Sequence, residues 1–401
     1  MISKRSYWSR VFQITWFVFF LILTVAQPMT EASRDILIGK VLSTLSSQRD
    51  IALHEEVVAK VRSVASGILG QPIVASRRLG CGRNNVTLLI ETPRGRYVAK
   101  HYPKILEDDW DRLRAEAAGL GFLNAAGVSA VPVLIGTDAA SRVSVMTECG
   151  VPADCTACRD DIEACLAFAK RLHYARTLTD AESLPLAAEA CLAPKDIVDQ
   201  VVDRRRRLGE VGAGHPELSR FLSSTFDPAL DAYRRQAYAA LAASDIGPAD
   251  QLLARWQTLS PSDFGLHNAV RGDDGGLTFV DFEYFGWDDP VRIVSDFLLH
   301  PGHLLDDDAK RQFVYGCYTV FGNDPQFLNR LRALYCLVGL RWCLILLNEF
   351  LPERLARRRA AGNSDKIANI RARQLRKADQ MLTGLEISKG VLSTDVFSTL
   401  K

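Results

Sequence analysis

Three oxygen-bearing side chains in the second half of the chain have the types and spacing to work together. Asp263 and Asn268 lie five residues apart in the stretch SPSDFGLHNAV, and Asp281 ends the short apolar run that follows. Mg²⁺ accepts carboxylate and amide oxygens as ligands, and a carboxylate can also orient or deprotonate a hydroxyl group. The pattern therefore predicts one site with a base, Asp263, and two magnesium ligands, Asn268 and Asp281.

The first half of the chain offers groups that can bind an anion. Lys100 lies in the apolar run YVAK, where a lysine needs a partner, and Glu116 on the next predicted helix can supply one. Upstream, Gly80 and Gly82 in LGCGRNN let backbone N–H groups approach a phosphate, or simply shape a hairpin. Each residue alone has an ordinary structural explanation, but their order matches what transfer of a phosphoryl group requires.

The segments around these residues predict an α+β chain. VTLLIET and RYVAKHY, with the turn PRGR between them, predict paired strands within a sheet of about five strands and one helix. After Gly150 the spacing of apolar residues predicts mostly helices. The predicted boundaries are an apolar segment 1–28, a helical extension 29–70, a sheet lobe 71–147, a helical lobe 148–385 and a tail 386–401.

The ordered set of motifs resembles the aminoglycoside phosphotransferase and choline kinase-like families, which are relatives of the protein kinases. The resemblance rests on SDFGLHN, FVDFEYFGWDDP, Lys100, Glu116 and the hinge-like VMTECG, and it covers roughly residues 73–345. It implies a bilobal protein kinase-like fold with a small five-stranded antiparallel sheet lobe, carrying one helix, and a large, mostly helical lobe. The sheet lobe would bind the nucleotide.

The resemblance also implies roles for the matching residues. Asp263 would orient or deprotonate the acceptor hydroxyl, while Asn268 and Asp281 bind Mg²⁺. Lys100, held by Glu116, would bind the α- and β-phosphates of ATP, with GTP as the alternative nucleotide.

Further positions carry weaker expectations. Thr147 to Cys149 would meet the adenine through backbone groups. Asp296 matches an aspartate that braces the catalytic loop, or is an ordinary helix acid. Glu283 and Tyr284 would line the acceptor site or only pack beside it.

The stretch before Asp263 departs from the family pattern. These families usually carry His-Gly there, and this chain has Pro261 and Ser262. His267 could brace the loop instead, or could simply be a packed histidine. The departure keeps a second hypothesis open, namely a catalytically silent nucleotide-binding scaffold. All five polar residues needed to handle a magnesium nucleotide are nevertheless present, which favours a kinase.

The acceptor is the least determined part of the prediction. No dense acidic patch suited to a polycationic drug surrounds the loop beyond DFEYFGWDD. Tyr284, Phe285 and Trp287 could form an aromatic cage for a choline-type cation, although such residues usually pack in a core. The sequence therefore predicts a small-molecule hydroxyl acceptor, sugar-like or an amino alcohol, and favours sugars or sugar-phosphate-like compounds because they are the least constrained option.

Composition limits the location and the partners. The net charge of +2 gives no sign of nucleic-acid binding, and the basic runs Asp203–Gly209 and Arg354–Lys377 are typical of solvated helix faces. Val11–Ala26 is apolar enough for a signal core or a short membrane anchor, whereas a start at Met29 would give a cytoplasmic protein. The sequence does not determine the oligomeric state.

The nine cysteines predict reduced, mostly buried thiols in a cytoplasmic protein. One cluster, Cys149, Cys155, Cys158 and Cys165, contains a CxxC pair that could hold zinc. The usual second pair at ligand spacing is missing, so zinc is not expected.

Overall fold

The computed structural model describes residues 55–79, 85–104, 110–352 and 367–393 of the 401 residues. Gly80, Gly82 and the apolar run Val11–Ala26 lie outside the described residues, as do most of the predicted helical extension and the last residues of the tail.

An antiparallel sheet forms the N-terminal lobe. Its strands are β1 (Ala75–Arg78), β2 (Val86–Thr92), β3 (Gly95–His101), β4 (Leu134–Asp138) and β5 (Val143–Thr147), in the order β1-β2-β3-β5-β4. Helix α1 covers residues 55–69, and helix α2 (Arg112–Ala125) lies between β3 and β4 along the chain. This is the predicted lobe of five strands with one helix, preceded by part of the predicted extension.

The side chains of β3 alternate between its two faces, and the two faces make different contacts. Ala99 is fully buried with Leu88, Ile90, Val61 and others in a core between the sheet and α1. Lys100, the next residue, points to the opposite face, because successive side chains of a strand alternate. That face carries the contact with α2 described below.

The C-terminal lobe is mostly helical. Its helices are α3 (Arg159–Ala175), α4 (Pro194–Gly212), α5 (Pro216–Phe221), α6 (Asp227–Ala242), α7 (Pro290–Leu299), α8 (Asp307–Phe321), α9 (Phe327–Leu346) and α10 (Ile367–Lys389). Helix α7 is buried along its whole length, and most of α9 is buried as well. Together the two lobes confirm the predicted kinase-like fold class.

One apolar helix in the described part of the chain is long enough to cross a bilayer. It spans Phe327–Phe350, and 78% of its most apolar stretch is buried inside the protein. A helix that is apolar all round and covered by its own protein is typical of a core element.

Two small sheets position the loops that carry chemistry. Strand β7 (Thr258–Ser260) pairs with β10 (Gly286–Asp288), and a second sheet has the order β6 (Val151–Pro152), β8 (Ala269–Arg271), β9 (Leu277–Phe279). The catalytic loop, defined as residues 261–268, connects β7 to β8. The metal segment, defined as residues 280–285, connects β9 to β10. The β7–β10 pair holds the start of the catalytic loop and the end of the metal segment, and the β8–β9 pair holds their other ends. The two stretches therefore lie side by side.

Candidate active site

Lys100 on β3 and Glu116 on α2 form the predicted ion pair. Lys100 Nζ lies 2.9 Å from Glu116 Oε2, and both side chains are almost completely buried. Breaking such a buried pair by removing one partner is strongly destabilising. The pair therefore holds the sheet and its helix in a single arrangement.

Glu116 also reaches the C-terminal lobe. Its Oε1 accepts a hydrogen bond from the backbone N–H of Phe282 at 3.1 Å, and its Oε2 accepts one from the hydroxyl of Tyr102. That hydroxyl also bonds Ser144 Oγ at 2.9 Å. One carboxylate thus joins β3, α2 and the metal segment, and Tyr102 is a contributor that the sequence motifs did not indicate.

Lys100 contacts two further carboxylates on the metal segment. Its ammonium group pairs with Asp281 Oδ1 and lies 3.6 Å from Glu283 Oε2. Burial alone would lower the pKa of Lys100, but the charges of Asp281 and Glu116 raise it well above the ordinary value. Lys100 is therefore fully protonated and brings the predicted metal ligand Asp281 to the sheet lobe.

Glu283 lies on the nucleotide side of the site. Its carboxylate is almost fully buried, accepts a hydrogen bond from Asn85 Nδ2 and lies 3.7 Å from Arg112 Nε. Burial and the nearby charge of Asp281 raise its pKa. Tyr284 accepts a hydrogen bond from Arg112 Nε at 3.3 Å. The first turn of α2 thus contacts both residues that were predicted to line the acceptor site or pack beside it.

Two histidines flank Asp263 in the catalytic loop. His267 Nε2 lies 3.0 Å and His300 Nε2 lies 3.4 Å from the same oxygen, Asp263 Oδ1. The hydrogen bond from His267 requires a proton on its Nε2, because an ionised carboxylate only accepts hydrogen bonds. His300 Nδ1 accepts from the N–H of Gly302 at 2.9 Å, which leaves the proton of a neutral ring on the Nε2 that faces Asp263. Burial would raise the pKa of Asp263, but its hydrogen bond with His267 and the charges of both histidines hold it well below the usual range.

His300 is the functional neighbour that motif analysis missed. It is the residue that follows α7, and its ring packs edge-on against Trp342 with the centroids 4.5 Å apart. The rings of His300 and His267 are stacked, with centroids 3.6 Å apart and planes 10° apart. No spacing rule links position 300 to position 263. The only signal in the sequence was the absence of the family's histidine before Asp263, which left a partner to be found.

A third histidine, His303, completes a cluster whose ring nitrogens lie within 4.8 Å of one another. Burial lowers the pKa of His303 to about 4, so it is neutral at pH 7. Its Nε2 donates to the carbonyl of Phe297 at 2.6 Å. Two members of the cluster, His267 and His300, contact Asp263, whereas His303 is bonded to the backbone.

Asn268 connects the catalytic loop to the metal segment. Its side-chain Nδ2 donates to the backbone carbonyl of Asp263 at 2.9 Å. The backbone carbonyl of Asn268 accepts a hydrogen bond from the N–H of Val280 at 2.9 Å. The backbone of Asn268 is therefore bonded to the residue that precedes Asp281, which places the two predicted magnesium ligands on adjacent stretches of chain.

Two non-glycine residues of the site have left-handed backbone conformations. Ser262 has φ +69° and Asp281 has φ +70°. Ser262 stands where the related families have glycine, which adopts this conformation without a steric penalty. Its N–H bonds Ser260 Oγ at 3.0 Å, and its hydroxyl donates to the carbonyl of Ala188 at 3.1 Å. These bonds hold the loop in a conformation that its sequence disfavours.

The predicted hinge follows β5. The N–H of Thr147 donates to the backbone carbonyl of Val133 at 3.0 Å, and the hydroxyl oxygen of Thr147 accepts from the N–H of Val133 at 2.9 Å. Cys149 is half-buried, and burial raises the pKa of its thiol. Thr147 and Cys149 therefore lie at the junction between the sheet lobe and β6, where a nucleotide base would reach the backbone.

Asp296 has partners other than the catalytic loop. Its Oδ2 accepts two hydrogen bonds from Arg292, at 3.1 and 2.9 Å, and its Oδ1 accepts one from Trp342 at 2.8 Å. Because Trp342 packs against His300, Asp296 supports Asp263 through two intermediates. The predicted direct brace is replaced by this indirect one.

The described cysteines are all free, and those of the CxxC cluster do not form a metal group. Cys155 and Cys158 are exposed, whereas Cys165 is buried. Within residues 55–79, 85–104, 110–352 and 367–393, the cluster with metal-ligand spacing is the histidine group described above.

A family model described as the phosphotransferase enzyme family matches residues 76–292, which is more than half of the chain. The chain belongs to this family. As a member of the phosphotransferase enzyme family it is a small-molecule phosphotransferase with an alcohol group as acceptor, and the predicted kinship with aminoglycoside phosphotransferases and choline kinases is confirmed. Among curated proteins, none matches the sequence.

Solved structures of other phosphotransferases share the fold. The choline kinase LicA from Streptococcus pneumoniae aligns with a TM-score of 0.54 and 14% identity over 82% of this chain and 99% of its own. A choline/ethanolamine kinase family protein from Mesorhizobium loti aligns with a TM-score of 0.51 and 16% identity over 79% and 91%. Spectinomycin phosphotransferase, solved with ADP and spectinomycin, aligns with a TM-score of 0.50 and 12% identity over 76% and 94%. At these identities the likeness establishes the fold and leaves the acceptor open.

Proposed function

We propose that this phosphotransferase is a magnesium-dependent kinase that transfers the γ-phosphate of ATP to a hydroxyl of a sugar-like or amino-alcohol acceptor, with Asp263 as the base. One observation carries the proposal. On the nucleotide side, Lys100 contacts both Glu116 and Asp281, and Glu116 accepts a hydrogen bond from the metal segment. On the acceptor side, Asn268 bonds the backbone of Asp263 and also the backbone of the metal segment, so the metal segment connects the two sides. A scaffold that only binds nucleotide has no need for the acceptor half of this set.

The donor set fits a hard cation. Asn268 and Asp281 would hold Mg²⁺ through one amide and one carboxylate oxygen, and one or two protein ligands of this kind are usual when phosphates supply the rest. Asp281 is about one-third exposed, so a ligand can reach it. When bound, Mg²⁺ neutralises charge on the transferring phosphate.

Lys100 would bind the phosphates of the nucleotide. Phosphate oxygens would compete with Asp281 for its ammonium group, while Glu116 keeps the lysine in place from the other side. The Lys100–Asp281 pair would then open as the nucleotide binds. Thr147 to Cys149 would contact the base, and GTP is the alternative nucleotide.

Asp263 would act mainly by orientation. A carboxylate whose pKa is held low by two histidines is a weak base. Phosphoryl transfer proceeds through a loose transition state in most analyses, so the acceptor hydroxyl needs placement before it needs deprotonation. With Oδ1 occupied by His267 and His300, the second oxygen of Asp263 is the one that would accept the hydroxyl proton.

The test measures nucleotide binding and acceptor-dependent turnover separately. Calorimetry with MgADP reports binding, and ADP release is followed with sugars, sugar phosphates, amino alcohols and aminoglycosides. We expect MgADP to bind the wild type and Asp263→Asn alike, and turnover with at least one acceptor to fall about 10³-fold in the variant.

Two outcomes would overturn the kinase assignment or the role of Asp263. If MgADP binds and no acceptor in the panel increases ADP release, the silent-scaffold alternative is correct. If Asp263→Asn turns over at the wild-type rate, Asp263 is not the base. A cytoplasmic location belongs to the same proposal, since ATP is available there, and fractionation of cells that express the full chain tests it.

A further inference from the structure

A corner of the chain at Ala188 and Glu189 lies between the two functional loops. The N–H of Ala188 donates to the carbonyl of Tyr284 at 3.1 Å, and its own carbonyl accepts from Ser262 Oγ at 3.1 Å. Ala188 therefore contacts the metal segment on one side and the residue preceding Asp263 on the other. Glu189 follows directly, so its side chain belongs to the surroundings of the catalytic loop.

Arginines from three helices converge on Glu189. Arg341 on α9 donates to its Oε2 at 2.6 Å, Arg204 on α4 contacts its Oε1, and Arg292 on α7 donates to its backbone carbonyl at 3.2 Å. Arg292 is also paired with Asp296. Arg204 and Arg341 thus share the carboxylate of Glu189, and Arg341 Nη1 also lies 3.7 Å from Asp296 Oδ1.

The burial of these groups is uneven. The side chains of Arg204 and Arg341 are only 12% and 9% exposed, whereas that of Glu189 is 42% exposed. The Nε of Arg341 is buried and has no hydrogen-bond partner among the described residues. Two nearly buried guanidinium groups therefore face a carboxylate that is open to solvent, and the Nε–H of Arg341 remains available as a further donor.

Glu189 is also held in an unfavourable conformation, with φ +56°. Non-glycine residues pay a steric penalty in this region, and such residues cluster at ligand-binding sites. Burial would raise the pKa of Glu189, but Arg341 and Arg204 hold it well below its usual range. Its carboxylate carries the charge of an anion, and each of its two oxygens accepts a hydrogen bond from a different arginine.

We propose that Arg341 and Arg204 form an anion subsite for the acceptor, and that the carboxylate of Glu189 occupies this subsite until an acceptor bearing a phosphate or carboxylate group displaces it. Guanidinium groups bind both anions in paired hydrogen bonds. The inference rests on the proposed kinase function and narrows its acceptor to an anionic hydroxyl compound. An amine or trimethylammonium group would meet two cations here.

The first experiment compares acceptors of different charge. Glucose, glucose 6-phosphate and glucuronate are tested with choline in the ADP-release assay. We expect an anionic member to give the highest kcat/KM, and the choice between phosphate and carboxylate follows from which one does. Faster turnover of glucose or choline would overturn the inference while leaving the kinase assignment intact. Failure of MgADP to bind would instead refute the kinase assignment.

The second experiment uses inorganic phosphate as the probe, titrated by calorimetry into the protein saturated with MgADP. Glu189→Gln removes the competing charge and should tighten phosphate binding about threefold, whereas Arg341→Gln should weaken it about tenfold. The two variants move in opposite directions, so general unfolding cannot imitate the result. Weaker binding in Glu189→Gln, or no change in either variant, would overturn the proposal. Phosphate bound at the γ-phosphate position would respond to Lys100 and not to Arg341.

Discussion

The nucleotide side and the acceptor side of this site are built in different ways. On the proposed nucleotide side, Lys100 contacts both Glu116 and Asp281 directly. On the acceptor side, Asp263 is supported by His267 from its own loop and by His300 from the end of α7. The first arrangement is a set of direct charge pairs, and the second depends on residues far apart in the sequence.

The difference shows how a family motif can lose a residue and keep its geometry. The histidine that usually precedes the catalytic aspartate is replaced by Pro261, and the glycine by Ser262. His300 supplies a donor from another element, and hydrogen bonds to Ser262 hold the backbone conformation that glycine would adopt freely. Variants of the two sides should therefore fail in different ways.

The largest effect is expected on the nucleotide side, from Lys100→Met. The variant leaves Glu116 and Asp281 without their shared cation, which should cost about 3 kcal/mol of unfolding free energy. Turnover should fall about 10²- to 10³-fold because a phosphate-binding charge is lost. Urea unfolding and the ADP-release assay measure the two effects.

A surface lysine provides the matched control. Lys195 pairs with Asp196 and Asp199 while remaining about half exposed, and such pairs contribute little to stability. Lys195→Met should therefore change neither quantity. Turnover of Lys100→Met within threefold of the wild type would refute the assigned role.

A smaller effect is expected on the acceptor side, from His300→Phe. The variant keeps a ring against His267 and Trp342 but removes a donor from Asp263, so kcat should fall about tenfold while KM for ATP stays unchanged. Loss of the His300 charge also raises the pKa of Asp263. The acid limb of the kcat–pH profile should therefore move to higher pH in the variant.

His300→Gln and His173→Phe separate positioning from packing. Glutamine can place an N–H near the position of the histidine Nε2 but carries no charge, so it should restore part of the kcat and leave the pH profile of the His300→Phe variant unchanged. His173 bonds Thr258 and packs against Phe321, away from Asp263, so its replacement tests the general cost of losing a histidine. Equal kcat values and equal pH profiles for all four proteins would show that His300 does not act on Asp263.

The sequence predicts those parts of the molecule where chemistry and spacing are local. The five strands and the Lys100–Glu116 pair depend on apolar alternation and short motifs. His300 and Glu189 could not be predicted, because their contacts arise only when α7 and the chain before α4 pack beside the loop. Asp296 shows the same limit. The family pattern suggested that it braces the catalytic loop, but its direct hydrogen-bond partners are Arg292 and Trp342.

The smallest effect, and the finest test of the comparison, concerns Ser262. Alanine ordinarily makes a protein more stable than glycine does, by about 0.4–1 kcal/mol, because glycine has a more flexible unfolded chain. At φ +69° the order should reverse, since Cβ is penalised by about 1 kcal/mol in this conformation. Both variants lose the hydrogen bond from the hydroxyl to Ala188, so the difference between their unfolding free energies reports the cost of the backbone conformation alone. Ser262→Gly should therefore unfold at a higher urea concentration than Ser262→Ala. If alanine is the more stable, the loop is not strained at this position, and Pro261–Ser262 replaces His-Gly without any conformational cost.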